Sequence, residues 1–234
     1  MTAQLPLALR WPRRQRFEHF HVGAHNAAAL AALQALAGAP GAPWVYLQGP
    51  AGSGRSHLLL AAAQAASAAG RRVQYLPLAT LADRAAALRG VAGSEWLALD
   101  DLGALAGERD AEHALFDLYN RTRADGGAML FAAAAIPSDL GIALPDLRSR
   151  LGACTQFAIK PLDDAERRHV LKAQAAARGI ELDEPVLDWL FARYARDLGA
   201  LLDLLDRLDQ ASLAAQRRIT VPFLRGFLRE AAAP

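Results

Sequence analysis

The chain has 234 residues, of which 53% are hydrophobic and 21% are charged. This composition supports a buried core and excludes wholesale disorder, and the length fits one large domain or a core domain with a small appendage. The formal net charge of only +2 argues against a protein that coats DNA, although it leaves room for a local basic patch.

Cysteine usage and hydropathy indicate the compartment. Cys154 is the only cysteine, so the chain forms no internal disulfide, and a single thiol in an apolar stretch is expected to serve packing. The apolar run near the N-terminus is too short for a signal peptide, and no run approaches the ~20 apolar residues of a membrane span. These features predict a cytoplasmic protein that does not enter a membrane.

Residues 1–20 are predicted to form an N-terminal tail. It contains the hexapeptide Gln4-Leu5-Pro6-Leu7-Ala8-Leu9, whose leucines would lie on one side of an extended backbone. A basic cluster follows, formed by Arg10, Arg13, Arg14 and Arg16. The alternatives are a plain apolar tail for the hexapeptide and a solvated tail for the arginines. A helix is predicted over Asn26–Leu36, ended by Gly38-Ala39-Pro40-Gly41.

From residue 44 onward, short apolar runs alternate with longer helical stretches, which predicts an α/β domain with a mainly parallel sheet. Each run is continuously apolar, as expected of strands covered on both faces. The predicted strands are Trp44–Gln48, Val73–Leu78, Trp96–Asp100, Ala128–Ala134 and Thr155–Ile159. The predicted helices between them are Ser56–Ala69, Thr80–Leu88, Glu108–Ala124 and Leu144–Leu151.

The pattern changes after Pro161, where strand-like runs stop. Asp163 and Glu166 have the spacing of a capping box that opens a helix. Apolar residues then follow helical spacing, and Thr220 with Pro222 begins a last short helix that is expected to end near Arg229. The sequence therefore predicts an α/β core over residues 21–161 and a small all-helical domain over residues 162–234.

Residues 49–56, GPAGSGRS, fit the P-loop spacing G-x-x-x-x-G-K-[ST] except that arginine replaces lysine. A predicted strand precedes the loop and a helix follows it, so backbone N–H groups and the helix N-terminus would surround a phosphate of ADP or ATP. The alternative is a glycine-rich turn without a ligand. The candidate nucleotide-binding residues here are Gly49, Gly52, Ser53, Gly54, Arg55, Ser56 and His57.

The arginine at position 55 is a departure from the motif. A guanidinium supplies charge but is longer and differently shaped than an ammonium. We expect nucleotide binding to survive and γ-phosphate chemistry to suffer.

The run Trp96-Leu-Ala-Leu-Asp100-Asp101 has the pattern of a Walker B strand. Asp100, together with the Ser56 hydroxyl, would hold Mg²⁺ if a triphosphate is bound, and Asp101 stands where a general base orients water. The alternative is that both aspartates only cap the next segment. The following strand ends in alanines at positions 132–135, which offer nothing polar to a γ-phosphate and weaken any expectation of intrinsic hydrolysis.

The order of motifs is GPAGSGRSH, WLALDD, LPDLRSRL, ARDLGALLDLLDRLDQAS and RRITVPFLRGFL. It resembles the DnaA-related branch of the AAA+ family and, within it, the Hda group of regulatory inactivators of DnaA. The resemblance covers nearly the whole chain and implies a P-loop AAA+ core with a five-stranded parallel sheet, followed by a helical lid. An arginine in the P-loop is familiar in the Hda group.

The resemblance implies roles for two arginines. An arginine at the position of Arg150, preferred here to Arg148, acts in trans as a finger on ATP bound to the neighbouring protein, which would be DnaA. The alternative is a surface arginine that pairs with Asp146 or solvent. Arg196 would reach the protein's own phosphates, or else is an ordinary arginine at a helix start.

The resemblance also implies a partner for the tail. Gln4, Leu5, Leu7 and Leu9 match a peptide that docks into the β sliding clamp of the replicative polymerase. The implied function is negative regulation of replication initiation by a clamp-bound protein, nucleoid-associated through the clamp, whose contact with DNA is indirect or weak. Little or no intrinsic ATPase activity is expected, and homo-oligomer formation stays open.

Two other functions remain as alternatives: a self-contained AAA+ ATPase of the helicase-loader type and an initiator-like protein. The sequence ends after the predicted lid, without the helix-turn-helix domain with which DnaA reads its origin boxes, and this favours the regulator.

Overall fold

A computed structural model describes residues 15–23, 25–193, 198–215 and 218–231. The chain divides into two compact units, which adjoin in sequence at Pro161 and Leu162.

The first unit is built on one sheet of five parallel strands in the order β2-β3-β4-β1-β5. The strands are β1 Val45–Gln48, β2 Val73–Pro77, β3 Trp96–Asp100, β4 Ala128–Ala133 and β5 Thr155–Ala158. Every residue of β3 and β4 is buried, which explains why both strands are apolar up to Asp100 at the end of β3. The predicted five-stranded parallel sheet is confirmed.

Helices cover both faces of this sheet. They are α1 Ala27–Gly38, α2 Arg55–Ala68, α3 Arg84–Arg89, α4 Arg109–Ala124 and α5 Pro145–Gly152, with short 3₁₀ turns at Phe17–His19, Leu78–Thr80 and Leu102–Leu105. On one face, α1 and α2 pack against Trp96, Ala98 and Leu130. On the other face, α4 and α5 pack against Leu99 and Phe131. Alternate residues of a strand therefore enter opposite cores.

The predicted helix over Thr80–Leu88 begins too early. The structure has a 3₁₀ turn over Leu78–Thr80, and α3 begins only at Arg84. The reason is local: Asp83 has extended backbone angles, and its Oδ1 accepts a hydrogen bond from the backbone N of Ala86 at 2.8 Å. Asp83 is thus the N-cap, and a cap lies outside the helix that it starts.

The second unit is all-helical, as predicted. Its helices are α6 Asp164–Ala176, α7 Glu184–Arg193, α8 Leu198–Ala215 and α9 Val221–Ala231, so the last helix extends two residues beyond the predicted end. The capping box is present, since Asp163 Oδ1 accepts from Glu166 N and Glu166 Oε2 accepts from Asp163 N. Leucines from α6, α7 and α8 form its core. In the described ranges, no helix has the length and apolar character to cross a membrane.

Candidate nucleotide-binding site

The P-loop lies at the carboxyl edge of the sheet, between the end of β1 and the start of α2. Gly49 directly follows β1, and its backbone N donates a hydrogen bond to Ala133 O of the neighbouring strand at 3.2 Å. A Cβ at Gly49 would lie 2.2 Å from the backbone O of Ile159 and 2.9 Å from Ser53 Oγ. Only glycine fits, so the loop turns directly off the sheet with no room for a side chain.

Two further glycines give the loop its curvature. Gly52 has φ +75° and Gly54 has φ +94°, a backbone region that other residues rarely adopt. Gly54 is also the N-cap of α2, so the helix N-terminus faces the loop. The strand–loop–helix arrangement is the one that binds phosphate in P-loop proteins.

Two buried polar groups in the loop have no hydrogen-bond partner among the described residues: Ser53 Oγ and Arg55 Nη1. The Arg55 side chain is only 10% exposed, and its Nη2 lies 3.7 Å from Asp101 Oδ1. Buried polar atoms in folded proteins nearly always have a partner, and a buried donor without one is costly. An anion in the loop would satisfy both groups, so these residues fit a bound phosphate.

The two residues after Arg55 face different surroundings. Ser56 is exposed in the first turn of α2, where its hydroxyl is open to a ligand. The His57 ring packs 5.5 Å from that of Phe20, and its Nε2 lies 2.9 Å from Arg16 O. Burial lowers the pKa of His57, and the hydrogen bond with Arg16 O partly opposes this shift. His57 therefore anchors the N-terminal segment in this structure.

The segment from Gln15 to Phe20, which the sequence analysis placed in the tail, packs along α2. Gln64 Nε2 donates to Gln15 O at 2.6 Å, next to the His57 contact. Phe20 lies over the loop, because a Cβ at Gly54 would be 2.9 Å from its Cε2. No sequence motif predicts that Phe20 contacts the P-loop. Its apolar character near the predicted start of the core was the only sequence signal.

Asp100 is held at the carboxyl end of β3 by two hydrogen bonds. Its Oδ2 accepts from the Tyr75 hydroxyl at 2.9 Å and its Oδ1 accepts from Asp101 N at 3.0 Å. It is 2% exposed. Burial, followed by the charge of Asp100, raises the pKa of Tyr75. Tyr75 belongs to no sequence motif, because only the pairing of β2 with β3 places it beside this aspartate.

Asp101 has an unusual backbone. Its φ of 55° is the only positive value at a non-glycine position among the described residues. Its side chain makes no capping hydrogen bond to the 3₁₀ turn that follows, so the capping alternative does not describe it. Desolvation raises the pKa of Asp101, the charge of Asp100 raises it further, and Arg55 opposes both.

Strand β4, which lies between β1 and β3 in the sheet, ends in alanines. Its end lies beside the P-loop, because Gly49 N donates a hydrogen bond to Ala133 O. Ala132 and Ala133 are fully buried, and the Ala135 backbone O accepts from the Tyr46 hydroxyl at 2.8 Å. No side chain at positions 132–135 can donate a hydrogen bond to a γ-phosphate.

A magnesium ion at the loop would need ligands from the nucleotide. In the described ranges there is no group of three or more His, Cys, Asp or Glu side chains arranged to hold a metal. Mg²⁺ in nucleotide sites is commonly held by one or two carboxylates together with phosphate oxygens. Asp100 and the Ser56 hydroxyl fit that partial role.

Family profiles match both units of the chain. The profile described as the bacterial DnaA ATPase domain matches residues 12–157, and the profile described as the Hda lid domain matches residues 164–228. This chain belongs to the DnaA-related AAA+ family. The lid match makes it Hda-like within that family.

Solved structures show the same fold. Domain III of the Thermotoga maritima replication initiation protein DnaA has a TM-score of 0.75 at 21% identity, over 96% of this chain and 99% of that one. DnaA bound to AMPPCP and single-stranded DNA has a TM-score of 0.67 at 22% identity, over 84% of this chain and 66% of that one. The Thermotoga maritima RuvB branch migration motor has a TM-score of 0.65 at 19% identity, over 94% and 72%.

The DnaA-related core carries Arg150 on α5. Its guanidinium carbon lies 5.2 Å from the ring centre of Phe116 and 5.5 Å from that of Tyr119, both on α4. Its side chain is partly exposed. Arg148 is exposed, and its Nη1 donates to Ile142 O at 3.3 Å. Arg150 is thus held on an aromatic surface, whereas Arg148 bonds to the loop before its own helix.

Several predicted residues lie outside the described ranges. These are Arg196 and the tail residues Gln4, Leu5, Leu7, Leu9, Arg10, Arg13 and Arg14. The structure does bring together the P-loop residues, Asp100 and Asp101 at one edge of the sheet.

Proposed function

We propose that this chain is an ADP-bound regulator that promotes hydrolysis of ATP on DnaA and so acts as a negative regulator of replication initiation. The observation that carries the proposal is the P-loop with two unsatisfied buried groups, Ser53 Oγ and Arg55 Nη1. Such a loop is suited to bind a phosphate group. The residues around the loop are poorly suited to catalyse hydrolysis of the γ-phosphate.

Three features favour binding without rapid turnover. Arginine replaces the P-loop lysine, and the same arginine lies 3.7 Å from Asp101, so the position of the general base faces a cation. The strand beside the loop ends in alanines. A diphosphate would satisfy the loop without needing γ-phosphate contacts. ADP is therefore our preference for this chain. ATP is the alternative, because a DnaA relative was solved with the triphosphate analogue AMPPCP.

Arg150 supplies the activity in this proposal. A guanidinium that enters another protein's ATP site neutralises charge on the transferred phosphoryl group and is worth ~10³–10⁵ in rate. Arg150 meets two requirements, since it is partly exposed and is held by the rings of Phe116 and Tyr119. Cation–π contacts restrict the side chain without neutralising its charge.

The N-terminal hexapeptide would bring the protein to its target. Gln4 and the alternate leucines Leu5, Leu7 and Leu9 would dock into the β sliding clamp loaded on DNA, while the chain's own contact with DNA stays indirect or weak. Binding to a DNA-loaded clamp would restrict the activity to the period after replication has started.

A self-contained ATPase of the helicase-loader or initiator type is the second candidate. It is favoured by Asp101, since desolvation raises the pKa of its carboxyl group and makes it a better proton acceptor. Turnover by the isolated protein separates the two functions. Several turnovers per second would support the ATPase, and much slower hydrolysis supports the regulator.

The deciding experiment follows phosphate release from ATP-loaded DnaA mixed with the ADP-bound chain, with and without clamp loaded on DNA. We expect clamp-dependent stimulation. Arg150→Ala should lose it by about 10³-fold or more while ADP affinity is kept. In the double variant with Gln4→Ala and Leu5→Ala, adding the DNA-loaded clamp should no longer increase stimulation. Arg148→Ala is the matched control, and normal stimulation by Arg150→Ala would show that the finger is assigned wrongly.

A further inference from the structure

A glutamate is almost completely buried in the first turn of α4. Glu112 is 1% exposed, although buried glutamates are uncommon unless they are fully hydrogen-bonded. Its Oε1 accepts from Gly107 N and from Ala143 N, each at 3.0 Å, and its Oε2 accepts from Leu144 N at 2.8 Å. Three backbone N–H groups therefore stabilise the carboxylate.

Two of these groups belong to the residues just before α5. Leu144 is the N-cap of α5 and supplies no side-chain capping bond, and the next residue, Pro145, has no N–H. Glu112 thus fixes the start of α5 from a different helix, about 30 residues earlier in the chain. A carboxylate at this position also suits the positive end of the helix dipole.

The far end of α5 contacts the same helix. Arg150 lies over the rings of Phe116 and Tyr119, and its backbone O accepts from the Tyr119 hydroxyl at 3.5 Å. Glu112, Phe116 and Tyr119 have the spacing i, i+4, i+7, so they share one face of α4. One face of α4 therefore holds both the beginning of α5 and its arginine.

We propose that Glu112 is a positioning residue for Arg150: it sets the place and direction of α5, so that the guanidinium projects at a fixed point. This rests on the proposed role of Arg150. Glutamine at this position keeps the shape but replaces one acceptor oxygen by an NH₂ group, which faces a backbone N–H. At least one of the three hydrogen bonds is then lost, and the start of α5 moves.

The test uses the full-length ADP-bound chain with ATP-loaded DnaA and DNA-loaded clamp, under single-turnover conditions. Glu112→Gln should lower the maximal rate of DnaA-bound ATP hydrolysis about 10–100-fold, since small displacements of a positioned group cost this much. The concentration for half-maximal stimulation and the affinity for ADP should stay unchanged. The matched control is Glu108→Gln at the N-cap of α4, where the exposed carboxylate pairs with Arg84 and not with α5.

A double variant decides whether Glu112 acts through Arg150. If it does, Arg150→Ala with Glu112→Gln stimulates no less than Arg150→Ala alone. A further loss, or normal stimulation by Glu112→Gln, overturns the inference. If Arg150→Ala alone stimulates normally, the assignment of Arg150 as the finger in the proposed function fails instead, so the two failures are distinguishable.

A second variant covers the case in which Glu112→Gln does not fold. Leu144→Pro removes the N–H bonded to Oε2, and the Leu144 φ of −76° already suits proline. It also removes the partly buried Leu144 side chain, so Leu144→Ala, which keeps the N–H, is its control. Leu144→Pro should lower the maximal rate in the same direction with unchanged ADP affinity. An unchanged rate with Leu144→Pro would also overturn the inference.

Discussion

Replacing Arg55 with methionine tests whether the P-loop is built around an anion. In the structure, Arg55 Nη1 is buried and without a partner among the described residues, and the side chain is 10% exposed. Methionine keeps an unbranched apolar stem of similar course but removes the guanidinium. The ligand-free protein and the ADP complex should then respond in opposite directions.

The size of each response follows from the contacts. Leaving a buried donor unsatisfied costs about 1–3 kcal/mol, and methionine removes that cost. The lost contact with Asp101 is worth only about 0–1 kcal/mol, because the Asp101 side chain is 47% exposed. The ligand-free variant should therefore be more stable by about 1–2 kcal/mol, which raises the midpoint of thermal unfolding by about 2–8 °C for a unit of this size.

ADP binding should change in the other direction. A hydrogen bond to a charged group contributes about 1.5–3 kcal/mol, so the loss of the guanidinium should weaken ADP binding by about 10–150-fold. Calorimetric titration measures this directly. Thermal unfolding gives an independent reading, since ADP at 100 times its Kd stabilises by about 2.7 kcal/mol, and the variant should lose about half to nine-tenths of this stabilisation at the same ADP concentration.

Arg84→Met is the matched control for this substitution. Arg84 also lies in the α/β core, but its Nε donates to Leu78 O at 2.8 Å and its Nη1 pairs with Glu108 at 2.8 Å. The same change there should lower stability and leave ADP affinity intact. If Arg55→Met instead lowers the stability of the ligand-free protein and binds ADP normally, the inference that Arg55 waits for a phosphate is refuted.

Two further predictions concern the loop and the segment packed beside it. Gly49→Ala places a Cβ 2.2 Å from the backbone O of Ile159. It should lower the free energy of unfolding by about 1–3 kcal/mol, measured by thermal unfolding, and abolish ADP binding. Gly38→Ala is the control, because its Cβ would meet open space, and it should change neither property. The second prediction concerns His57, whose pKa burial lowers from the ordinary 6.5. The unfolded chain therefore takes up the proton first as the pH falls. The stability due to a neutral His57 is present above about pH 6.5 and is lost as the pH falls through its lowered folded pKa. His57→Gln should flatten the decline of the unfolding midpoint in this range, and an unchanged pH profile would count against it.

Features that depend on neighbouring residues could be read from the sequence. The five strands were recognised because parallel strands covered on both faces are continuously apolar, and their ends agree with the structure to within one residue. The capping box of Asp163 and Glu166 was recognised because both partners lie within one helical turn. The predicted start of α3 at Thr80 is wrong, since Asp83 caps the helix and α3 begins at Arg84.

Contacts between distant parts of the chain could not be predicted from the sequence. Tyr75 contacts Asp100 only because β2 lies beside β3, and nothing near either residue in sequence requires that pairing. Glu112 resembles a surface residue of an amphipathic helix, yet it is buried because α5 places two N–H groups beside it. Phe20 covers Gly54 across more than 30 residues of chain.

The sequence by itself determined the fold class, the P-loop and its unusual arginine, because glycine spacing, apolar period and caps act over a few residues. Tertiary structure alone decided which buried polar groups lack a hydrogen-bond partner and which side chains are positioned by contacts with other elements. Arg55 Nη1 and Ser53 Oγ are buried and have no hydrogen-bond partner among the described residues. Arg150 is held because α4 passes beneath it. Burial depends on what the rest of the chain places around a residue, and for these residues the surrounding groups come from distant parts of the sequence.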